Sequence, residues 1–126
     1  MDEKRIKELK KQATIIRKHV IEAVYSAKSG HPGGSLSSAD ILTVLYFDVM
    51  RVDVNNPQWE DRDRFVLSKG HCSPVLYGIL AEKGFFPVEE IKKFRQADSF
   101  LEGHPSMRYV PGVDMSTGSL GQGISA

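Results

Sequence analysis

Three of the four histidines in this chain stand beside glycine, in Ser29-Gly30-His31-Pro32-Gly33-Gly34, Lys69-Gly70-His71-Cys72-Ser73-Pro74 and Gly103-His104-Pro105. An imidazole can donate to phosphate oxygens, and its ordinary pKa of about 6.5 lets it exchange a proton with a developing alkoxide at neutral pH. Adjacent glycine lets main chain approach a ligand closely. A fourth stretch, Thr117-Gly118-Ser119-Leu120-Gly121-Gln122-Gly123, has the same loop-then-helix character without a histidine, so its contribution comes from main-chain N–H groups. Together the four stretches read as one site spread over four loops. The remaining histidine, His19, falls in the middle of a helical pattern and reads as structural.

Other chemistries fit these residues less well. Structural zinc sites use closely paired ligands, and catalytic zinc with three histidines usually takes two from one element, whereas His31, His71 and His104 are widely separated. Cys72 beside His71 is a weak nucleophile–base pair, because sequence neighbours usually point apart and no third orienting group can be named. The glycines of residues 118–123 reverse the spacing of the dinucleotide fingerprint, and no P-loop lysine follows them.

The elements that must position these groups follow from periodicity. From Glu3 to Ala27, apolar residues at Ile6, Leu9, Ala13, Ile16, Val20, Val24 and Ala27 draw one stripe on a long amphipathic helix with a basic, solvated opposite face. Residues 30–34 predict an irregular loop, and Ser37 with Asp40 predicts a capping box for a helix carrying Ile41, Leu42, Leu45, Val49 and Met50. His31 would then precede a helix N-terminus, which favours anions. Residues 52–64 read as a surface connection with Trp59 as a packing anchor. Phe65-Val66-Leu67 predicts a buried strand, placing His71 at its carboxyl end, where open α/β sheets bind ligands. Ser73 as N-cap and Pro74 predict a helix stopped by Gly84. A second short helix is expected over Pro87–Ala97, a long connection over 98–118, and a new helix at Ile124-Ser125-Ala126.

At 126 residues the chain is one domain or part of one, and its ending inside a nascent helix suggests the front of a longer polypeptide. A net charge of +1 and ordinary proportions of apolar and charged residues give no reason to expect a nucleic-acid or membrane partner. The single cysteine, Cys72, permits no internal disulfide and fits a cytoplasmic setting.

The glycine-histidine blocks carry a resemblance. With Ser38-Ala39-Asp40-Ile41-Leu42, Phe65-Val66-Leu67-Ser68-Lys69-Gly70-His71 and residues 117–125, they occur in the order and spacing of the transketolase amino-terminal segment. The lysine-rich first helix looks most like the small subunit of the split transketolases. The resemblance implies an α/β fold: residues 1–126 would be the front portion of a doubly wound thiamine diphosphate-binding domain, helix-rich with few strands. It implies transfer of a two-carbon ketol unit from a ketose phosphate to an aldose phosphate, as in the pentose phosphate pathway. His31 and His104 would be catalytic, and His71, Gly118, Ser119, Leu120 and Gly121 would bind the cofactor, with no role for the side chains of Cys72 and Ser119. The family also uses Mg2+ or Ca2+ bound through a Gly-Asp-Gly stretch and a later asparagine; no Gly-Asp-Gly occurs here, so metal ligands are expected beyond Ala126. The expected partners are sugar phosphates and a carboxy-terminal subunit with a pyrimidine-binding domain, in a homo- or hetero-oligomer, and the chain alone is expected to be inactive. Related alternatives are deoxyxylulose phosphate synthase, a 2-oxo acid dehydrogenase first component, or a non-catalytic assembly module.

Overall fold

A computed structural model describes all 126 residues. Its centre is the seam between two helices, α1 (Glu3–Ala27) and α4 (Ser73–Lys83). The Asp2 carboxylate accepts from the Arg5 N–H at 2.8 Å to start α1, and Lys28, at φ 52°, ends it. Leu9, Ala13, Ile16, Val20 and Ala23 form the buried stripe, in steps of four and three that keep one face inward. α4 is buried from Ser73 to Ala81, so it behaves as a core helix that needs no polar face. Gly78 lets the two helices close: a Cβ there would stand 3.3 Å from the Cβ of His19.

Between them lie α2 (Pro32–Leu36) and α3 (Ala39–Val44), the latter running into a π-helical turn at Leu45–Val49. α1 packs against α3, α4 and a 3-10 turn at Val88–Lys93. The core joins Ile16 and Val20 to Tyr46, Tyr77, Leu80, Ile91, Phe94 and Leu101. Burial pushes the Tyr46 and Tyr77 hydroxyls well above the usual phenol range, and Tyr77 donates to the Glu102 carbonyl at 2.6 Å. His19 lies in this structural layer, with its Nε2 2.5 Å from Glu82 Oε1 on α4. No helix is long and apolar enough to cross a membrane.

Several local expectations are corrected. No strand forms anywhere, Phe65-Val66-Leu67 included, so the α/β sheet expected from the resemblance is not built within these residues. A strand is defined by a neighbour's N–H and C=O groups, and here the Phe65 N–H goes instead to the Asp114 carboxylate at 2.9 Å. The 30–34 loop is partly helical, because Pro32 occupies the first turn of α2. The capping box does not form. Ser37 closes α2 and its Oγ donates to the Gly34 carbonyl at 3.1 Å, while Asp40 pairs with Arg17 at 2.5 Å.

Ser73 is the first residue of α4 and not its cap; its Oγ donates to the Gly103 carbonyl at 2.8 Å. Gly84, at φ 103°, does stop α4, with its N–H directed to the Leu80 and Ala81 carbonyls. The helix expected over 87–97 is only the 3-10 turn, although Ile91 and Phe94 are buried and Lys92, Lys93 and Arg95 exposed. The last helix is likewise a 3-10 turn, Gln122–Ser125. Trp59 is half-buried and lies outside the core.

The long 98–118 connection is fixed by an ion pair, Arg62 Nε to Asp114 Oδ1 at 2.9 Å, with side-chain exposures of 10% and 9%. Asp114→Ala leaves a desolvated guanidinium and an unpaired Phe65 N–H, at a cost of about 3–5 kcal/mol for breaking such a pair. Urea unfolding of the variant should show this as a lower midpoint with unchanged slope.

Candidate functional site

The turn bearing His71 is the hub of the site. Gly70–Cys72 forms a single 3-10 turn leading into α4, and His71 is half-buried on it. His31 caps α2 from the exposed side. The two imidazoles meet edge to face, with ring centroids 5.0 Å apart and planes at 80°. The helix N-terminus expected a few residues after His31 stands directly at it, as the start of the five-residue α2, and the helix that follows, α3, has only six residues.

Contacts on three sides fix the hub. Toward His31, Lys69 Nζ donates to the Gly34 carbonyl at 2.7 Å and Ser35 Oγ to the Cys72 carbonyl at 3.2 Å. Toward His104, Ser73 and Tyr77 hold the carbonyls of Gly103 and Glu102. Toward the fourth stretch, Gly70 presses on main chain: a Cβ there would come within 2.7 Å of the Thr117 carbonyl and 2.8 Å of the Gly118 nitrogen. The ring of contacts then closes. Thr117 N–H donates to the Pro105 carbonyl at 3.3 Å, and a Cβ on Gly118 would lie 3.7 Å from His104 Cδ2.

The fourth stretch is tied to the segment before His71 by Gly121 N–H on the Ser68 carbonyl at 2.9 Å and Gly123 N–H on Ser68 Oγ at 3.0 Å. Gly121 takes φ 83°, which re-aims the chain between these two bonds. Gly118 and Ser119 line a polar depression with Ser116, Thr117, Gln122 and Gly123. Leu120 and Gly121 turn the other way, into an apolar groove with Ile41, Leu42, Phe65 and Leu67. The four residues of this stretch assigned to cofactor binding, Gly118 to Gly121, thus divide between two neighbouring surfaces.

The donors gathered here are imidazoles, one ammonium and main-chain N–H groups, and no carboxylate is bonded to any of the three histidines or to Lys69. Such a set suits an oxyanion such as a diphosphate, and the bare, exposed Cα of Gly118 leaves room for close approach. No group of three or more His, Cys, Asp or Glu side chains is placed to hold a metal ion. Cys72 is no nucleophile: it is fully buried beneath Gly34, and burial pushes its thiol up, offset only in part by the Lys69 charge. Lys69, Ser35, Ser73 and Tyr77 escape a reading by spacing, since their partners lie 25 to 37 residues away.

Comparison with known proteins places this geometry. Residues 8–126 match the family model described as transketolase, thiamine diphosphate binding domain. The chain is 48% identical over its whole length to a 6-deoxy-6-sulfo-D-fructose transketolase subunit of Clostridium sp. (strain MSTE9), covering 46% of that protein. It is 47% identical over 95% of its length to an apulose-4-phosphate transketolase subunit of Phocaeicola vulgatus, covering 42% of it. A transketolase of Pichia stipitis, solved with sedoheptulose-7-phosphate, superposes with a TM-score of 0.88 at 44% identity, over 92% of this chain and 17% of that one. The chain therefore spans less than half the length of these relatives.

In the folded chain at pH 8.5, near the ordinary thiol pKa, Cys72 should react with a disulfide reagent about 100-fold more slowly than in denaturant, the ratio expected for about 2.7 kcal/mol of local opening. Equal rates in the two conditions would show that the thiol is not covered.

Proposed function

This chain belongs to the transketolase thiamine diphosphate-binding domain family, and from that premise we propose that it supplies the amino-terminal half-site of a transketolase. The reaction is transfer of a two-carbon ketol unit from a ketose phosphate to an aldose phosphate, in the cytoplasm and within pentose phosphate metabolism. The observation that carries this reading is the His31–His71 ring pair, held on a turn that also bears on the exposed main chain at Gly118.

Thiamine diphosphate, when bound, supplies the electron sink that cleavage beside a ketose carbonyl requires. The residues of this chain bind and handle protons. His71 donates a ring N–H to the diphosphate, and the N–H groups from Gly118 to Gly121 add uncharged donors, with Ser119 and Leu120 contributing main chain only. His31 would lie between the diphosphate and the substrate oxygens. His31 and His104 donate to the substrate carbonyl oxygen as negative charge develops on it and take the proton back on release. The bond from Ser73 to Gly103 keeps the loop of His104 in place while this happens.

A divalent cation, Mg2+ or Ca2+, would take its ligands from residues outside this chain. The pyrimidine-binding domain would come from a carboxy-terminal subunit, giving a hetero-oligomer of complete catalytic units. Two of the relatives are themselves named as subunits, which supports that division of labour.

Calorimetry and a ketol-transfer assay, on the chain alone and with the rest of the binding domain and a carboxy-terminal partner, test the reading; donors should include ordinary ketose phosphates and 6-deoxy-6-sulfo-D-fructose. Affinity for thiamine diphosphate and turnover are expected only when the rest of the binding domain and the partner are both supplied. Turnover by the isolated chain, or none when both are supplied, overturns the proposal. His71→Ala should weaken cofactor binding by about 10- to 100-fold, the value of a hydrogen bond to a charged group. His104→Ala should lower kcat by about 100-fold or more with cofactor affinity little changed.

A further inference from the structure

We propose that Lys69 is a positioning residue whose ammonium clasps the loop of His31 onto the turn of His71 and so sets the spacing of the two rings. Its bearing on cofactor affinity rests on the function proposed above; the clasp itself does not.

Lys69 pairs with no carboxylate. Its Nζ lies 2.7 Å from the Gly34 carbonyl oxygen and 3.4 Å from Ser37 Oγ. The same carbonyl accepts from Ser37 Oγ at 3.1 Å and Ser38 Oγ at 3.0 Å, but those donors belong to its own segment, three and four residues on. Lys69 reaches it from 35 residues away and is the only charged donor, which makes its bond roughly twice as strong as a neutral one. The other tie between the two segments, Ser35 Oγ to the Cys72 carbonyl, is neutral and longer, at 3.2 Å.

His31 precedes Gly34 by three residues and His71 follows Lys69 by two, so the Lys69 bond closes a short frame around the ring pair. The two serine hydroxyls would still satisfy the Gly34 carbonyl without Lys69, so losing the ammonium should free the loop without unfolding the chain.

Cys72 reports the loop directly, because its sulfur is covered by Gly34. The Lys69 charge lowers the thiol pKa, so removing that charge would by itself slow thiol chemistry; faster reaction can only mean an opened loop.

The test compares Lys69→Met and Lys69→Arg in the 126-residue chain by disulfide-reagent kinetics and thermal melting. Lys69→Met should react about tenfold faster at Cys72, and the ~1.4 kcal/mol this represents should lower Tm by about 5 °C and no more. Lys69→Arg should restore protection. With the rest of the binding domain and a carboxy-terminal partner, calorimetry should find thiamine diphosphate bound several-fold more weakly by Lys69→Met because His31 and His71 no longer keep one spacing; the shift from about 1% to about 10% open loop would by itself weaken binding only about 1.1-fold. Unchanged protection of Cys72 overturns the clasp, and so does faster reaction accompanied by a large fall in Tm, which would mean general loosening. Equal cofactor affinity of parent and Lys69→Met would overturn its bearing on the site alone. Failure of the parent complex to bind thiamine diphosphate would overturn the functional reading, leaving the thiol kinetics to decide the clasp.

Discussion

The contact between Gly70 and the main chain of Thr117 and Gly118 is the constraint on which the site depends. A carbonyl and an amide nitrogen approach so closely that a methyl group at Gly70 would sit within 2.8 Å of both. That approach holds the fourth stretch beside the turn of His71, with Gly118 also next to His104. A site assembled from four loops needs such a point, because each loop alone has too few contacts to offset the entropy of holding one conformation.

The framework behind that contact is helical. α4 is buried along most of its length and begins at the turn of His71, so the hub is attached to the most fully buried helix of the chain. From there, polar side chains of the rigid part hold carbonyls of the loops: Ser73 on Gly103, Tyr77 on Glu102 and Lys69 on Gly34. Directional bonds suit this task better than apolar packing, since each fixes one peptide group. The stability comes from the α1–α4 seam and its neighbours, and the positional accuracy from these few bonds.

The chemistry follows from the same economy. The exposed groups at the site are donors, and the one thiol is covered and held in its neutral form by burial. An arrangement of donors without a bonded carboxylate favours an anionic ligand, while imidazoles keep proton transfer available near neutral pH. Family membership gives that ligand its identity as a proposal, and the chain spans less than half the length of the relatives named as subunits.

Residue types and spacing alone determined the long first helix, the stop at Gly84, the inward placement of Ile91 and Phe94, and the four loops as one set, because local periodicity and glycine–histidine motifs are properties of short segments. Tertiary structure decided what depends on a distant partner. Phe65-Val66-Leu67 has the composition of a strand, but its first N–H is taken by Asp114, 49 residues away, and no neighbouring strand is present. Ser37 and Ser73 look like helix caps, yet their hydroxyls satisfy the carbonyls of Gly34 and Gly103, whose positions no local pattern reveals. The same reason separates Leu120 from Gly118: the turn at Gly121 and its bond to Ser68 are set by packing across the fold.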